Sequence, residues 1–387
     1  MATRFLAELK EKQSLLIDAV RSDSRYGPSA VVFVFTVFVT LLWRYFRQPE
    51  GADTAIWDYV AQCILRGQIP YKDVIEIKTP GSAYLSAAAM WLGRHAWLGD
   101  LLAVRFMQVA VIGALSVVTF AVAEKLFRNR FAALISFLPL LISNHFISYT
   151  TAGTQPKLWM ILFGMTSILL IGKDRPFWAG LTSMLSCLCW QPGLLFTGTA
   201  VLISSGYLTR WRDLRALKAV LGGAIPLAAI STYFYAIGAI RELWMWTVLY
   251  DFSVYAPGGM RGLARWAQHA SNIVHRSLGL NLWLWQAAGA GLLMTIALLI
   301  RARLAPKSDR VTMPGTFDRE QRLAEAVVIP AILYIVFCFF SFNTGIYLLP
   351  LYPFAGIFAA AFFVQVGKLF GRWSFFQTAA GFLGVDP

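Results

Sequence analysis

Residues 53–81 read D-T-A-I-W-D-Y-V-A-Q-C-I-L-R-G-Q-I-P-Y-K-D-V-I-E-I-K-T-P-G. The stretch follows directly on the first long apolar run. It is polar and acidic where the chain around it is not. With its flanks it holds Glu50, Asp53, Asp58, Asp73, Glu76 and Asp100, out of 20 acidic residues in all 387. Any chemistry this chain performs is expected to start here. The surroundings set the fold class. The chain is 58% hydrophobic and 14% charged, with mean hydropathy +0.60, whereas a soluble domain is about a quarter charged. Many windows approach the roughly 20 apolar residues that cross a bilayer. The runs are too continuous for the alternating strands of a membrane barrel. The expectation is an all-α polytopic membrane protein.

Working outward, the apolar runs predict about ten spans. The first covers residues 28–46, and a long polar loop, 47–100, follows. Within that loop residues 80–93 are short and rich in small side chains, which predicts a helix lying at the membrane surface. Further spans are expected at 101–123, 131–143 and 158–172. Two more flank Gln191-Pro192-Gly193, and others cover 219–240 and 280–300. The last two enclose residues 343–347. Residues 144–157 read as a polar turn.

The net charge is +14, which in a soluble chain would suggest nucleic acid. Here the Arg and Lys clusters fall after every second span and before the first. That pattern orients a membrane protein and implies no nucleic-acid partner. It puts the N-terminus in the cytoplasm of a cell whose inner (plasma) membrane holds the chain. Loops 47–100, 144–157 and 241–279 then face the periplasm or exterior. Residues 1–27 carry Leu6, Leu9, Leu16 and Val20 at helical spacing, an interfacial amphipathic segment; residues 28–373 form the transmembrane domain and 374–387 a tail. No cleavable signal peptide is visible. Cys63, Cys187, Cys189 and Cys338 read as small packing residues rather than a disulfide framework.

The acidic loop admits two readings. Asp53 opens a helical stretch with an expected apolar stripe of Ile56, Val60, Ile64 and Leu65, which stops at Gly67 before the Pro70-Tyr71 turn. A carboxylate there either caps the helix or serves as a general base on an acceptor hydroxyl or amine. Lys78, just before Pro80, either meets an anionic phosphate or snorkels among headgroups. Arg105, close to an apolar run, is costly and often functional in such a place, or snorkels at the span end. His145 and Lys157 either face the same cleft or are solvated loop residues, the latter being expected. Arg241, Arg261, Arg265, His269 and His275 make the third outer loop basic, suited to a lipid phosphate, an acidic glycan or anionic headgroups.

The spacing Asp53, Ala61, Ile64-Leu65, Gly67, Pro70-Tyr71, Asp73, Lys78, Pro80 resembles the first outer loop of GT-C-fold glycosyltransferases that use polyprenyl-phosphate sugars. Similar proteins include family 39 protein mannosyltransferases, the lipid A aminoarabinose transferase and RgtA-like proteins. Arg105 resembles that family's Arg near the second span, and residues 347–353, Y-L-L-P-L-Y-P, resemble its late span. The resemblance implies a GT-C-like bundle with interfacial helices in the first outer loop. It also implies a donor sugar on polyprenyl phosphate and an acceptor that is a glycan, lipid or protein of the cell envelope. Asp53 would be the base. Lys78 and Arg105 would stabilise the departing phosphate. Asp73 and Glu76 would orient Lys78 or bind sugar hydroxyls, with Tyr71 and Tyr347 as further substrate contacts.

The chain departs from the family pattern in places. Thr54 stands where Glu is frequent, Trp57 where Tyr is usual, and residues 144–157 carry no carboxylate. Hard divalent cations take oxygen ligands, so a metal site is poorly supplied and no cofactor is expected. No G-x-x-x-x-G-K-[ST], G-x-S-x-G or H-E-x-x-H pattern is present. A lipid-linked-sugar flippase or transporter is the alternative function, although no internal repeat of the transporter kind is evident. A catalytically silent scaffold of the same fold is the other.

Overall fold

The computed structural model describes residues 27–43, 49–206, 214–250, 253, 282–304, 316–341 and 345–369. The expected N-terminal amphipathic segment up to residue 26, the tail 374–387 and most of the third outer loop, with Arg261, Arg265, His269 and His275, lie outside these residues.

The described residues form helices joined by turns, with no strand among them. Helix α1 (Gly27–Leu42) is followed by α2 (Ala52–Leu65) and α3 (Gly81–His95) in the loop 47–100, then by α4 (Asp100–Phe127). Next come α5 (Arg130–Ile142), α6 (Asn144–Thr151), α7 (Pro156–Gly172) and α8 (Pro176–Cys189). A 3₁₀ turn, Gln191–Gly193, leads into α9 (Leu194–Ser204). Helix α10 (Leu214–Ala236), short α11 (Ile240–Trp244), α12 (Leu282–Leu304) and α13 (Thr316–Ser341) follow. A 3₁₀ segment, Gly345–Leu351, opens α14 (Tyr352–Leu369). Ten of these helices stand where spans were expected. By length and composition five segments can cross a bilayer, or six if the bent α5–α6 pair is one span, and α1, α7 and α8 are shorter apolar helices.

Local sequence sets the breaks. Asn129 caps α5 by accepting the Ala132 N–H at 3.0 Å. Residues 144–157, expected as a turn, begin instead with a helix. Ser143 caps α6 by accepting the Phe146 N–H at 3.2 Å, and Pro139 removes a backbone donor one turn earlier. The pair bends by 63° there. Ser143 Oγ also donates to Tyr352 at 2.9 Å, which locks the bend against α14. Pro156 and Pro176 sit at the first helical positions of α7 and α8, where a missing N–H costs nothing.

The helices pack through small residues, because lipid offers no hydrophobic drive between apolar surfaces. A Cβ on Gly291 of α12 would lie 1.8 Å from the Phe358 carbonyl oxygen of α14. One on Gly356 of α14 would lie 1.7 Å from the Ser136 oxygen of α5. The core fills with Ile112, Leu115, Leu140, Met160, Tyr334, Tyr352 and Phe354, while Phe38, Leu293, Leu298 and other large apolar side chains stay exposed. The protein is an integral membrane protein.

The Gly291 contact predicts an asymmetry along one helix. Gly291→Val should lower the thermal midpoint in detergent by overpacking worth about 1–3 kcal/mol. Gly289→Val, whose Cβ meets nothing within 4 Å, should leave it nearly unchanged; equal losses in a melting assay would contradict the close approach.

Candidate active site

Helix α2 presents Asp53 in its first turn, exposed. Asp53 does not cap the helix: Gly51 occupies the cap, and Thr54 Oγ1 donates to its carbonyl at 2.8 Å. Of the expected apolar stripe, Val60 is buried and Ile64 and Leu65 pack against Ala61, Ala87, Met90 and Val104, while Ile56 turns outward. Ile56 is 55% exposed, and the inward face is Thr54, Trp57, Asp58, Val60, Ala61 and Cys63. The reason is that lipid and protein interior are both apolar, so periodicity marks a stripe without saying which one it meets.

The acids of the loop differ sharply in their engagement. Asp73 Oδ2 accepts the Ile69 N–H at 2.7 Å and closes the turn after α2. Glu76 is buried, and its Oε1 accepts the N–H groups of Ile77 at 2.8 Å and Lys78 at 2.7 Å. Asp100 pairs with Arg94 at 2.7 Å and accepts from Gln62 at 3.2 Å. Asp53 alone among the six makes neither a hydrogen bond nor an ion pair nor a buried contact with the others among the described residues.

The segment bearing Lys78 is held by its backbone. Tyr71, buried and at φ 70°, donates its hydroxyl to the Lys78 carbonyl at 2.6 Å. Burial pushes that hydroxyl well above its ordinary pKa, so it stays a donor. Gln191 Nε2 donates to the Ile77 carbonyl at 2.6 Å, and Thr79 Oγ1 to the Cys187 carbonyl at 2.8 Å. These three bonds, with the two that Glu76 accepts from Ile77 and Lys78, fix where Lys78 leaves the backbone. Its Nζ lies 6.0 Å from the centroid of the Trp190 ring.

A second cluster joins loop 47–100 to the segment 144–157. Asp58 is buried. Its carboxyl accepts the Thr154 N–H at 3.2 Å and the Thr154 hydroxyl at a shorter distance. Ser86 Oγ of α3 lies 2.6 Å from that same hydroxyl. Burial, then a hydrogen bond shared with Glu50, pushes the Asp58 pKa up to about 8. Gly153 lies against both acids: a Cβ there would come within 2.5 Å of Asp58 Oδ2 and 3.0 Å of Glu50 Oε1. Arg105 is buried beside them, donates to the Ala152 carbonyl at 3.0 Å and feels both acidic charges.

Lys157 follows three residues after Thr154. Expected as a solvated loop residue, it is 3% exposed. Its Nζ lies 4.5 Å from the Trp190 ring centroid, 5.1 Å from Tyr347 and 5.5 Å from Trp57. Tyr347 is buried in the 3₁₀ segment, where its carbonyl accepts the Tyr334 hydroxyl at 2.9 Å. His145, half-buried, contacts the Gly345 carbonyl through Nε2 at 3.0 Å.

Residues 67–233 match the family model of the DolP-mannose mannosyltransferases. A dolichol phosphate-mannose mannosyltransferase of Haloferax volcanii is 26% identical over 216 residues, 55% of this chain and 46% of the relative. The chain therefore spans about half the length of that curated relative. ArnT from Cupriavidus metallidurans, solved with undecaprenyl phosphate, matches at TM-score 0.60 and 14% identity, over 88% of this chain and 60% of that one. AglB from Archaeoglobus fulgidus, an oligosaccharyltransferase solved with an inhibitory peptide and a dolichol-phosphate, matches at TM-score 0.59 and 12% identity. The match covers 94% of this chain and 53% of AglB. The fold is GT-C. The resemblance carried by residues 53–80 and 347–353 thus holds for the fold, and Tyr71, Lys78, Arg105 and Lys157 fall inside the matched family segment.

Within this GT-C bundle, Asp53, Lys78 and Tyr347 are brought toward one place, around Trp190 and Lys157. Arg105 joins the Asp58 cluster instead, and Asp73 closes a turn. Sequence reasoning listed Asp58 only as one acid among six and missed Trp57, Trp190 and Lys157 as a group. Among the described residues no three His, Cys, Asp or Glu side chains gather as a metal ligand set.

Asp58 gives a pH signature. Its carboxyl keeps its proton in the folded chain up to about 8 and loses it near 3.9 when unfolded. Between those values the folded state binds more protons, so stability falls as pH rises from about 4 to 8. Thermal midpoints in detergent should decline across that range. Asp58→Asn, which keeps a hydrogen-bonding amide without titrating, should flatten the decline.

Proposed function

We propose that this chain is a membrane glycosyltransferase that transfers a sugar from a polyprenyl-phosphate donor, with inversion, to a glycan, lipid or protein acceptor. The family model and the Haloferax relative favour mannose as the sugar. The undecaprenyl phosphate and dolichol-phosphate in the two solved structures favour a polyprenyl phosphate carrier. Residues 28–373 are the catalytic transmembrane domain. The site faces the periplasm or exterior and the N-terminus the cytoplasm, as the alternation of basic clusters requires.

The observation that carries this reading is the contrast among the loop acids. Asp58, Asp73, Glu76 and Asp100 are each committed to a hydrogen bond or ion pair. Asp53 is exposed and uncommitted in the first turn of α2. A carboxylate in that state is available to accept a proton as the acceptor oxygen attacks the anomeric carbon. Lys78, set by the bonds around its backbone, meets the negative charge that develops on the departing phosphate. Glu76 and Tyr71 act on Lys78 through that backbone. Arg105 holds the second outer loop rather than the donor. Tyr347 borders the site through its ring against Lys157.

The test uses purified protein in nanodiscs with mannosyl polyprenyl phosphate and a panel of related donors. Transfer by the wild type should fall about 10²-fold or more in Asp53→Asn, with the melting temperature kept. Wild-type transfer by Asp53→Asn overturns the assignment of the base. Passage of donor across a bilayer without covalent transfer would support the flippase reading instead.

A further inference from the structure

The turn between α7 and α8 carries an aspartate where the backbone favours glycine. The Arg175 N–H reaches back to the Leu170 carbonyl at 2.9 Å, and the Asp174 N–H to the Ile171 carbonyl at 3.0 Å. These two bonds close α7 and place Asp174 at φ 56°, the left-handed position that glycine takes most cheaply at a helix end. The Asp174 carboxylate reaches Arg215 of α10 at 3.3 Å and Arg322 of α13 at 3.8 Å. The turn thus ties together the ends of three helices.

A shallow cleft opens beside this junction, lined by Ile171, Asp174, Arg175, Ile203, Arg215 and Arg322. It has room for little more than a water below its rim, so a larger group seats at the rim. Arg175 is exposed, and its side chain makes neither an ion pair nor a hydrogen bond among the described residues. It stands at the start of α8, where no side chain caps the first turn. Open N–H groups at a helix start favour an anion. Arg215 and Arg322 keep their bonds to Asp174. A guanidinium carries five N–H donors in a fixed fork, so such a pair can admit a phosphate without releasing its carboxylate.

The rest of the lining is apolar. Ile171 and Ile203 lie in the cleft, and exposed Trp178, Leu214 and Leu217 continue an apolar surface on α8 and α10. Cations at one edge and hydrocarbon at the other match a phospholipid better than a free phosphate. The axis of α7 places the cleft in depth. Lys157, in its first turn, lies against Trp57 of α2, and Ile171, in its last, lines the cleft. The 17 residues of α7 span about 25 Å. That approaches the roughly 30 Å of a bilayer's hydrocarbon core, so the cleft and Asp53 belong to opposite leaflets.

We propose that this cleft binds the phosphate of an anionic phospholipid from the leaflet opposite Asp53. Arg175 supplies the uncommitted charge, and Arg215 and Arg322 supply further donors. The bound lipid holds the ends of α7, α8, α10 and α13 together. A zwitterionic headgroup such as phosphatidylcholine would bring its own cation against three guanidinium groups, whereas phosphatidylglycerol brings none. The inference needs only the chain's place in a bilayer and is independent of the transfer reaction.

The experiment uses the full chain in detergent micelles. Native mass spectrometry measures the affinity for phosphatidylglycerol and for phosphatidylcholine, and thermal melting follows the effect of each. Wild type should prefer phosphatidylglycerol and melt higher in its presence. Arg175→Gln should weaken phosphatidylglycerol binding about fivefold, the effect of removing one cation at a headgroup. It should melt like wild type without lipid, because the side chain it replaces is exposed and unpaired among the described residues. Arg175→Lys should keep most of the affinity. Lys218→Gln removes an exposed cation of α10 outside the cleft and should change nothing. Three outcomes overturn the inference: no preference for phosphatidylglycerol in wild type, unchanged binding in Arg175→Gln, or an equal loss in Lys218→Gln, which marks diffuse attraction to a basic surface. Inorganic phosphate that raises the melting point as phosphatidylglycerol does, through Arg175, overturns the lipid and makes a soluble phosphate the occupant.

Discussion

The hydrogen bonds between Asp58 and Thr154 join loop 47–100 to the segment 144–157, and the candidate site depends on that junction. Asp53 stands five residues before Asp58 on the same helix, and Lys157 stands three residues after Thr154. Their relation is therefore set by one buried carboxyl and one threonine. A protonated carboxyl suits the place better than a carboxylate, because it supplies a donor toward Glu50 while accepting from Thr154. Arg105 reinforces the junction from α4 through the Ala152 carbonyl. The arrangement separates two duties that one glance at the loop would merge: the buried acid builds, and the exposed acid is left able to react.

The same division runs through the Lys78 segment. Its partners grip backbone groups of Ile77 and Lys78 and the side chain of Thr79, so the lysine side chain is aimed by its own backbone. Tyr71 accepts a left-handed backbone conformation, unfavourable for a residue with a Cβ, and in that position its hydroxyl reaches the Lys78 carbonyl. Backbone strain at one residue is the cost of placing another.

The fold was largely legible in the sequence because span length, charge alternation and the prolines before α7 and α8 are local signals. So was the motif from Asp53 to Pro80, whose spacing lies within one short loop. Three things were not. The inward place of polar Thr54 and Asp58 on α2 was hidden, although Val60, Ile64 and Leu65 of the stripe do pack inward and only Ile56 meets the exterior. The α6 helix was read as a turn, since its eight residues carry no strong apolar period. The aromatic group around Lys157 draws Trp57, Trp190 and Tyr347 from segments more than a hundred residues apart, and no window along the chain contains it. A polar residue beside a predicted span end looks solvated until the tertiary contacts are known.

Helix α2 has an outer flank as well as an inner one. Ile56 and Tyr59, both more than half exposed, border the turn that carries Asp53, and Trp91 and Leu92 on α3 continue an apolar surface beside it. A lipid-borne molecule can then arrive sideways, without leaving the bilayer. Encounter becomes a two-dimensional search, governed by how many substrate molecules share each patch of membrane rather than each volume of water. The bilayer's composition and fluidity thereby enter the kinetics of this site as directly as any side chain.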